Sequence, residues 1–294
     1  MKDQSLIKLN TLNEFLENRV PLINIILMGL GQVMLQANAI TGLLFLIGIF
    51  YNSWLLGIAA LAGTIVSTVT AWALKYSNED IKNGLYGFNG ALVGIALLFF
   101  FEMNAFTLLA LIIGAAASTI LMSILKKFIP AFTSPFVIVT WVIISLLLFI
   151  FDQKLLSGSS ASSADLNIFY ALFNGFGQVM FQENIITGAI FLFAILVNSR
   201  RDAFYSLYAS LLGVPIGWLF SIPFSTLNSG LMGYNGILCA IALAGSKRSD
   251  FVWISFTIFL SVVIQISLAA QGIITLTAPF VFSTWIVLII KRIK

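Results

Sequence analysis

The sequence predicts an all-α polytopic membrane protein: ten transmembrane helices plus re-entrant half-helices, built as two five-crossing inverted repeats that form one central pore. Three observations carry that prediction. Of 294 residues, 60% are hydrophobic and only 9% are charged, against roughly 25% charged in a soluble domain. Three motifs occur twice, in the same order. Basic residues gather in every second loop.

The chain opens with MKDQSLIKLNTLNEFLENR, whose acidic residues and lack of an apolar run argue for a cytoplasmic, partly amphipathic lead-in (1–19) over a cleavable signal. Apolar blocks follow at 20–50, 53–75, 84–101, 105–126 and 134–151. They return at 166–198, 202–222, 231–246, 251–270 and 273–290. About 20 residues span the hydrocarbon, so most blocks have the length of one crossing. The first block of each half is longer and carries a polar interruption, which suggests a span joined to a re-entrant half-helix. The expected units are a first repeat at 20–151, a serine-rich linker at 152–165, a second repeat at 166–290 and a cytoplasmic tail at 291–294.

The duplication is explicit. GQVMLQANAITG at Gly31–Gly42 returns as GQVMFQENIITG at Gly177–Gly188, identical at nine of twelve positions. GLYGFNG at Gly84–Gly90 answers GLMGYNG at Gly230–Gly236, and TSPFVIVTW at Thr133–Trp141 answers TAPFVFSTW at Thr277–Trp285. Loop charge then relates the halves. Lys75 and Lys82 face an uncharged equivalent at 223–229, and Arg200 and Arg201 answer the uncharged 51–53. Counting one crossing per block, Lys126, Lys127, Lys247, Arg248 and both termini fall on that same basic side. Basic loops stay cytoplasmic. Five crossings per half is odd, so the second half enters upside down, an arrangement that places a solute site between the halves.

Composition also excludes functions. There is no histidine and one cysteine, Cys239, so a His/Cys metal site or a disulfide is not expected, and no cofactor is implied. The net charge of +4 resides in short loops and does not indicate nucleic acid. No P-loop and no catalytic set is present. Ion coupling needs intramembrane charge, and Glu183 is the single acid within the repeated polar motif.

The polar residues of the motifs each admit two readings. Gln32 with Gln36, and Gln178 with Gln182, are spaced to share a helix face, as a pore wall or as interhelical glue. Asn38 and Asn184 suit a cap after the half-helix. The glycines around Phe88 and Tyr234 serve either close helix packing or a second broken element. Thr133 and Thr277 precede a Pro-Phe pair, as N-caps or as hydroxyls facing a pathway. Thr140 and Thr284 are expected to bond back within their own helices.

With these motifs in both halves, residues 10–290 resemble the urea transporter family, which contains bacterial urea channels and mammalian homologues. The resemblance implies a bacterial member in the cytoplasmic (inner) membrane, surrounded by lipid; the loop charges already put both termini on the cytoplasmic side. It implies a homotrimer with one pore per protomer and passive, channel-like diffusion of urea. Carried over by motif, an oxygen ladder falls on Gln32 with Val33 and on Gln178 with Val179. One slot falls on Leu35, Phe88 and Leu92, and the other on Phe181, Tyr234 and Leu238. The central threonines are Thr133 and Thr277. Tyr234 stands where phenylalanine is more usual, and Leu35 where an aromatic often sits. The alternatives are a passive pore for ammonia, water or a short amide, and a proton-coupled transporter using Glu183.

Overall fold

The computed structural model describes residues 17–156 and 165–293. Most of the expected lead-in, the serine run of the linker and Lys294 lie outside the described residues. Everything described is helix, turn or loop, with no strand.

Fourteen helices are described, seven before the linker and seven after. The first seven are α1 (Pro21–Gln32), α2 (Ala39–Asn52), α3 (Trp54–Ala73), α4 (Asn78–Lys82), α5 (Gly87–Phe100), α6 (Ala105–Leu125) and α7 (Ser134–Phe149). Their counterparts are α8 (Ile168–Gln178), α9 (Ile185–Asn198), α10 (Arg200–Leu219), α11 (Phe224–Asn228), α12 (Tyr234–Leu243), α13 (Arg248–Ala270) and α14 (Ala278–Ile293). Three of them, α3, α6 and α13, are long and apolar enough to cross a membrane unaided. The others are shorter than the apolar blocks foretold. Helix α5 has 12 of its 14 residues buried, so its surroundings are other helices and not a bilayer whose thickness it must match.

Local chemistry explains the boundaries. Asn38 and Asn184 cap α2 and α9, each side-chain oxygen accepting from a backbone N–H three residues on (Thr41 and Thr187). Ser53 and Ser199 do the same for α3 and α10. Between α1 and α2 the chain stops being helical at Val33, because Leu35 adopts a left-handed conformation (φ 58°). Phe181 repeats this between α8 and α9 (φ 60°). Each tight turn closes by a bond from the Gln36 or Gln182 amide back to the carbonyl of Gly31 or Gly177, at 3.1 and 3.0 Å.

This break decides between the two readings of the second glutamine in each pair. With the helix ended, Gln32 and Gln36 no longer share a face. Gln36 is fully buried and joins the halves: its Nε2 donates to Asp202 Oδ2 (3.1 Å) and to the Met34 carbonyl, and its Oε1 accepts from Asn198 Nδ2 (2.7 Å). Gln182 is its counterpart, accepting from Asn52 Nδ2 at 2.9 Å. Both are structural glue.

The same contacts set the central seam. Thr41 Oγ1 donates to the Ala194 carbonyl (3.1 Å), Thr187 Oγ1 donates to that of Gly48 (2.9 Å), and Phe45 meets Phe191 edge-on at 5.0 Å. Helices α2 and α9 therefore run antiparallel, each ending beside the turn that begins the other. Fourteen residues at about 1.5 Å each separate the two turns by roughly 20 Å.

Candidate functional site

Two cavities of matching composition lie at opposite ends of this seam. The first, of about 470 Å³, is walled by Gln32, Leu35, Leu85, Phe88, Phe132 and the Lys126–Lys127 corner, with Arg292 at its rim. The second, of about 350 Å³, is walled by Gln178, Phe181, Leu231, Tyr234 and Leu276, and it reaches Thr277. Each named pair (Gln32/Gln178, Leu35/Phe181, Leu85/Leu231, Phe88/Tyr234, Phe132/Leu276) is one position of the repeat. A polar cavity of about 720 Å³ behind α1, walled by Asn24, Asn38, Asn78 and Asn83, touches neither threonine.

Between the cavities stand Thr133 and Thr277, both buried, their Oγ1 atoms 2.7 Å apart. Each occupies the N-cap position of its helix, yet Thr133 makes no side-chain cap bond. The repeat itself explains this. The second helical residue is Pro135 or Pro279, which has no N–H to offer. The third amide, of Phe136 or Phe280, is met from another helix by the Oδ1 of Asn89 (3.1 Å) or Asn235 (3.2 Å). With both customary donors gone, the threonine hydroxyls are left to meet each other. The asparagines of the repeated Phe/Tyr-Asn-Gly motif thus have a definite task. Their recurrence was the available signal, though their partner was not.

The turns add acceptors. No donor among the described residues meets the backbone carbonyls of Val33, Leu35, Val179 or Phe181. Gln32 and Gln178 line the cavities while their Nε2 atoms donate to the carbonyls of Asn83 and Ser229, each at 3.0 Å. That leaves the side-chain oxygens as acceptors. Phe88 and Tyr234 differ in one respect: the Tyr234 hydroxyl donates to the Leu276 carbonyl (2.5 Å) and lies 3.0 Å from Thr275 Oγ1. The equivalent carbonyl of Phe132 has no such partner among the described residues. The aromatic wall of the second cavity is extended by Phe99 and Phe100, at 5.2 and 5.7 Å from the Phe181 ring, which the motifs did not single out.

Of the residues named from the sequence, Gln32, Leu35 and Phe88 converge on the first cavity, and Gln178, Val179, Phe181, Tyr234 and Thr277 on the second. Leu92 and Leu238 are fully buried one turn beyond Phe88 and Tyr234, and Val33 is buried at its turn. None of these three is among the cavity walls described above. Two threonines depart from expectation. Thr140 Oγ1 is buried without a partner among the described residues, and Thr284 Oγ1 points to Cys239 Sγ at 3.7 Å, so neither bonds back along its helix.

Electrostatically the two ends are unequal. At the first cavity, partial burial opposes the Lys126 charge, but its bonds to Asp80 and Tyr86 outweigh that and raise its pKa. The ammonium also sits 5.0 Å from the Tyr86 ring centroid, a cation–π arrangement. Glu183 is exposed at the second cavity, 3.4 Å from Gln178 Nε2. Among the described residues no cluster of three His, Cys, Asp or Glu exists that could hold a metal ion.

Comparison with known proteins gives one consistent answer. A family model described as "Urea transporter" matches residues 23–292. Urea transporter 1 of Mus musculus is 32% identical over 241 residues, covering 75% of this chain and 62% of that protein. Urea transporter 1 of Ovis aries is 29% identical over 292 residues, covering 90% of this chain and 76% of its own length. The chain thus spans less than two thirds of the mouse relative.

Proposed function

The chain belongs to the urea transporter family, and on that premise we propose that it is a multi-pass channel conducting urea passively through a pore in each protomer. Its family comprises transporters, not enzymes. The single observation that carries the reading is the pair of matched cavities, one at each end, with the Thr133–Thr277 hydroxyl pair between them.

The chemistry suits urea. The solute is flat and neutral, with one carbonyl acceptor and two NH₂ donors. It gives up water on leaving bulk solvent, and each unreplaced hydrogen bond costs several kcal/mol, roughly. Leu35 with Phe88, and Phe181 with Tyr234, supply apolar surfaces against which a flat molecule rests. The free carbonyls of Val33, Leu35, Val179 and Phe181 take the place of water for its N–H groups. A hydrated ion would find no such replacement for its charge. Several similar weak sites favour flux over retention. Leu92 and Leu238 back the aromatic rings, and the threonines offer hydroxyls at the narrowest point.

On this reading the halves are inverted repeats of five crossings each, with boundaries at 20–151 and 166–290. The short helices and their dipping loops together complete ten crossings. Lys126, Lys127 and Arg292 mark the cytoplasmic mouth, and both termini are cytoplasmic. The protein assembles as a homotrimer in the membrane, an expectation that rests on the family resemblance. The test is stopped-flow urea uptake into proteoliposomes of the purified chain. Saturable uptake, unaffected by a pH gradient or by Glu183→Gln, is the expected result. Flux no faster than in empty liposomes would overturn the reading, and dependence on the gradient would favour proton coupling.

A further inference from the structure

We propose that Trp141 and Trp285 are reciprocal positioning residues that set the width of the Thr133–Thr277 constriction; the transport consequence rests on the urea-channel reading above. Trp141 lies on α7, two turns beyond Thr133, and its indole N–H donates to the Ile274 carbonyl at 2.7 Å. Ile274 belongs to the loop that delivers Thr277. Trp285 lies at the same place on α14 and donates to the Pro130 carbonyl at 2.8 Å, in the loop that delivers Thr133. Each half therefore holds the loop carrying the other half's threonine. The bonds span 133 and 155 residues of sequence and cross the interface in both directions.

These loops need external restraint. Phe132 and Leu276, immediately before the two threonines, both have φ of 47°, a left-handed conformation that is unfavourable for a side chain with a Cβ. Such backbone persists only where surrounding contacts over-determine it. Within the first loop the turn is closed by two bonds to the Ala131 carbonyl, from Ser134 N and Ser134 Oγ; in the second, Ala278 N bonds the Thr275 carbonyl and the Tyr234 hydroxyl holds that of Leu276. The indole bond ties the backbone of each loop to the opposite half, beside the threonine pair itself and the contact of the Phe132 ring with Phe280. Neither tryptophan is among the residues walling the two cavities, so their effect on flux is exerted through the loops. Without the indole N–H, the loop relaxes toward ordinary φ and the threonine moves off its partner.

Two readouts test this. In a Cys239→Val background, a Thr133→Cys/Thr277→Cys pair is oxidised with copper phenanthroline in membranes, with Trp141 or with Trp141→Phe. Cross-link yield is expected to drop at least threefold with phenylalanine, and an equal yield overturns the proposal whether or not the parent conducts urea. In proteoliposomes of otherwise native chain, Trp141→Phe and Trp285→Phe are each expected to cut urea permeability at least fivefold and to narrow urea-to-methylurea discrimination, with melting temperature little changed. Parent-like permeability and discrimination in both variants overturn it. If phenylalanine prevents folding, benzothienylalanine at position 141, which keeps the bicyclic shape and lacks only the N–H, decides the cross-link result in the same way.

Discussion

Thr133 and Thr277 stand 144 residues apart in the chain, yet their hydroxyl oxygens lie 2.7 Å from each other between the two cavities. Each hydroxyl is free for this because proline removes one amide of its helix start and an asparagine from another helix takes the next. The first prediction concerns this pair. Thr133→Val together with Thr277→Val keeps the volume and removes both hydroxyls at once, which is nearly neutral for stability because neither is left buried without its partner. Urea permeability is expected to fall several-fold while yield and gel-filtration profile stay parental. A single valine leaves one buried hydroxyl unpaired, so each single variant should melt no higher than the double. Parental urea flux in the double variant would remove the threonines from the pathway.

A second prediction uses the one asymmetry between the slots. The Tyr234 hydroxyl occupies the Leu276 carbonyl, whereas nothing described occupies that of Phe132. Tyr234→Phe should make the second cavity resemble the first. Stability is expected to drop by about 1 kcal/mol for the lost hydrogen bond. The freed carbonyl becomes an extra acceptor for urea, so the urea concentration giving half-maximal flux should decrease. Concentration-dependent uptake by the two proteins is the measurement, and an increase would contradict the assignment.

The third prediction separates strain from packing at the turns. Leu35 has φ of 58°, where a residue with a Cβ is disfavoured by roughly 1–2 kcal/mol. Leu35→Gly should therefore melt at or above Leu35→Ala. At Leu30, buried within α1, the order must reverse, because glycine costs a helix about 1 kcal/mol relative to alanine. Both Leu35 variants should lose discrimination between urea and larger amides, since the flat wall is gone. Thermal melts of the four variants, with flux assays of the Leu35 pair, test the two claims independently.

What the sequence revealed, and what it withheld, follows from how far each interaction reaches. Asn38, Asn184 and the polar motif were readable because capping acts over three residues. The convergence of Gln32 with Phe88, and of Gln178 with Tyr234, could be approached through the duplication, since repeated residues point to repeated places. Gln36 could be read as wall or as glue, and only its partners Asp202 and Asn198, more than 160 residues away, decide for glue. The left-handed leucine that ends α1 early has no compositional marker, and glycine would have been the usual signal for such a break. Thr140 and Thr284 fail the local rule of bonding back along the helix; the Thr284 hydroxyl turns instead to Cys239 on another helix. The tryptophans were visible only as repeated letters, because their partners lie more than 130 residues away.

The last prediction concerns what brings the turns into place. A Cβ on Gly42 would fall 1.8 Å from the Leu27 carbonyl oxygen, and one on Gly188 would fall 1.8 Å from that of Phe173. Backbone meets backbone here, so no side chain can swing aside; α1 must part from α2, and α8 from α9. Separation would displace the carbonyls of Val33 and Val179, which on the proposed reading meet the solute, and would loosen the seam that Gln36 and Gln182 join. Gly42→Ala and Gly188→Ala are each expected to abolish monodisperse protein. Gly272 offers the contrast: it has a positive φ of 72° but nothing within 4 Å, so alanine there meets strain without collision. That variant should cost about 1 kcal/mol, fold, and conduct urea. Fluorescence-detected gel filtration of the three variants is the check, and a well-folded Gly42→Ala would show that the half-helix does not depend on this close approach.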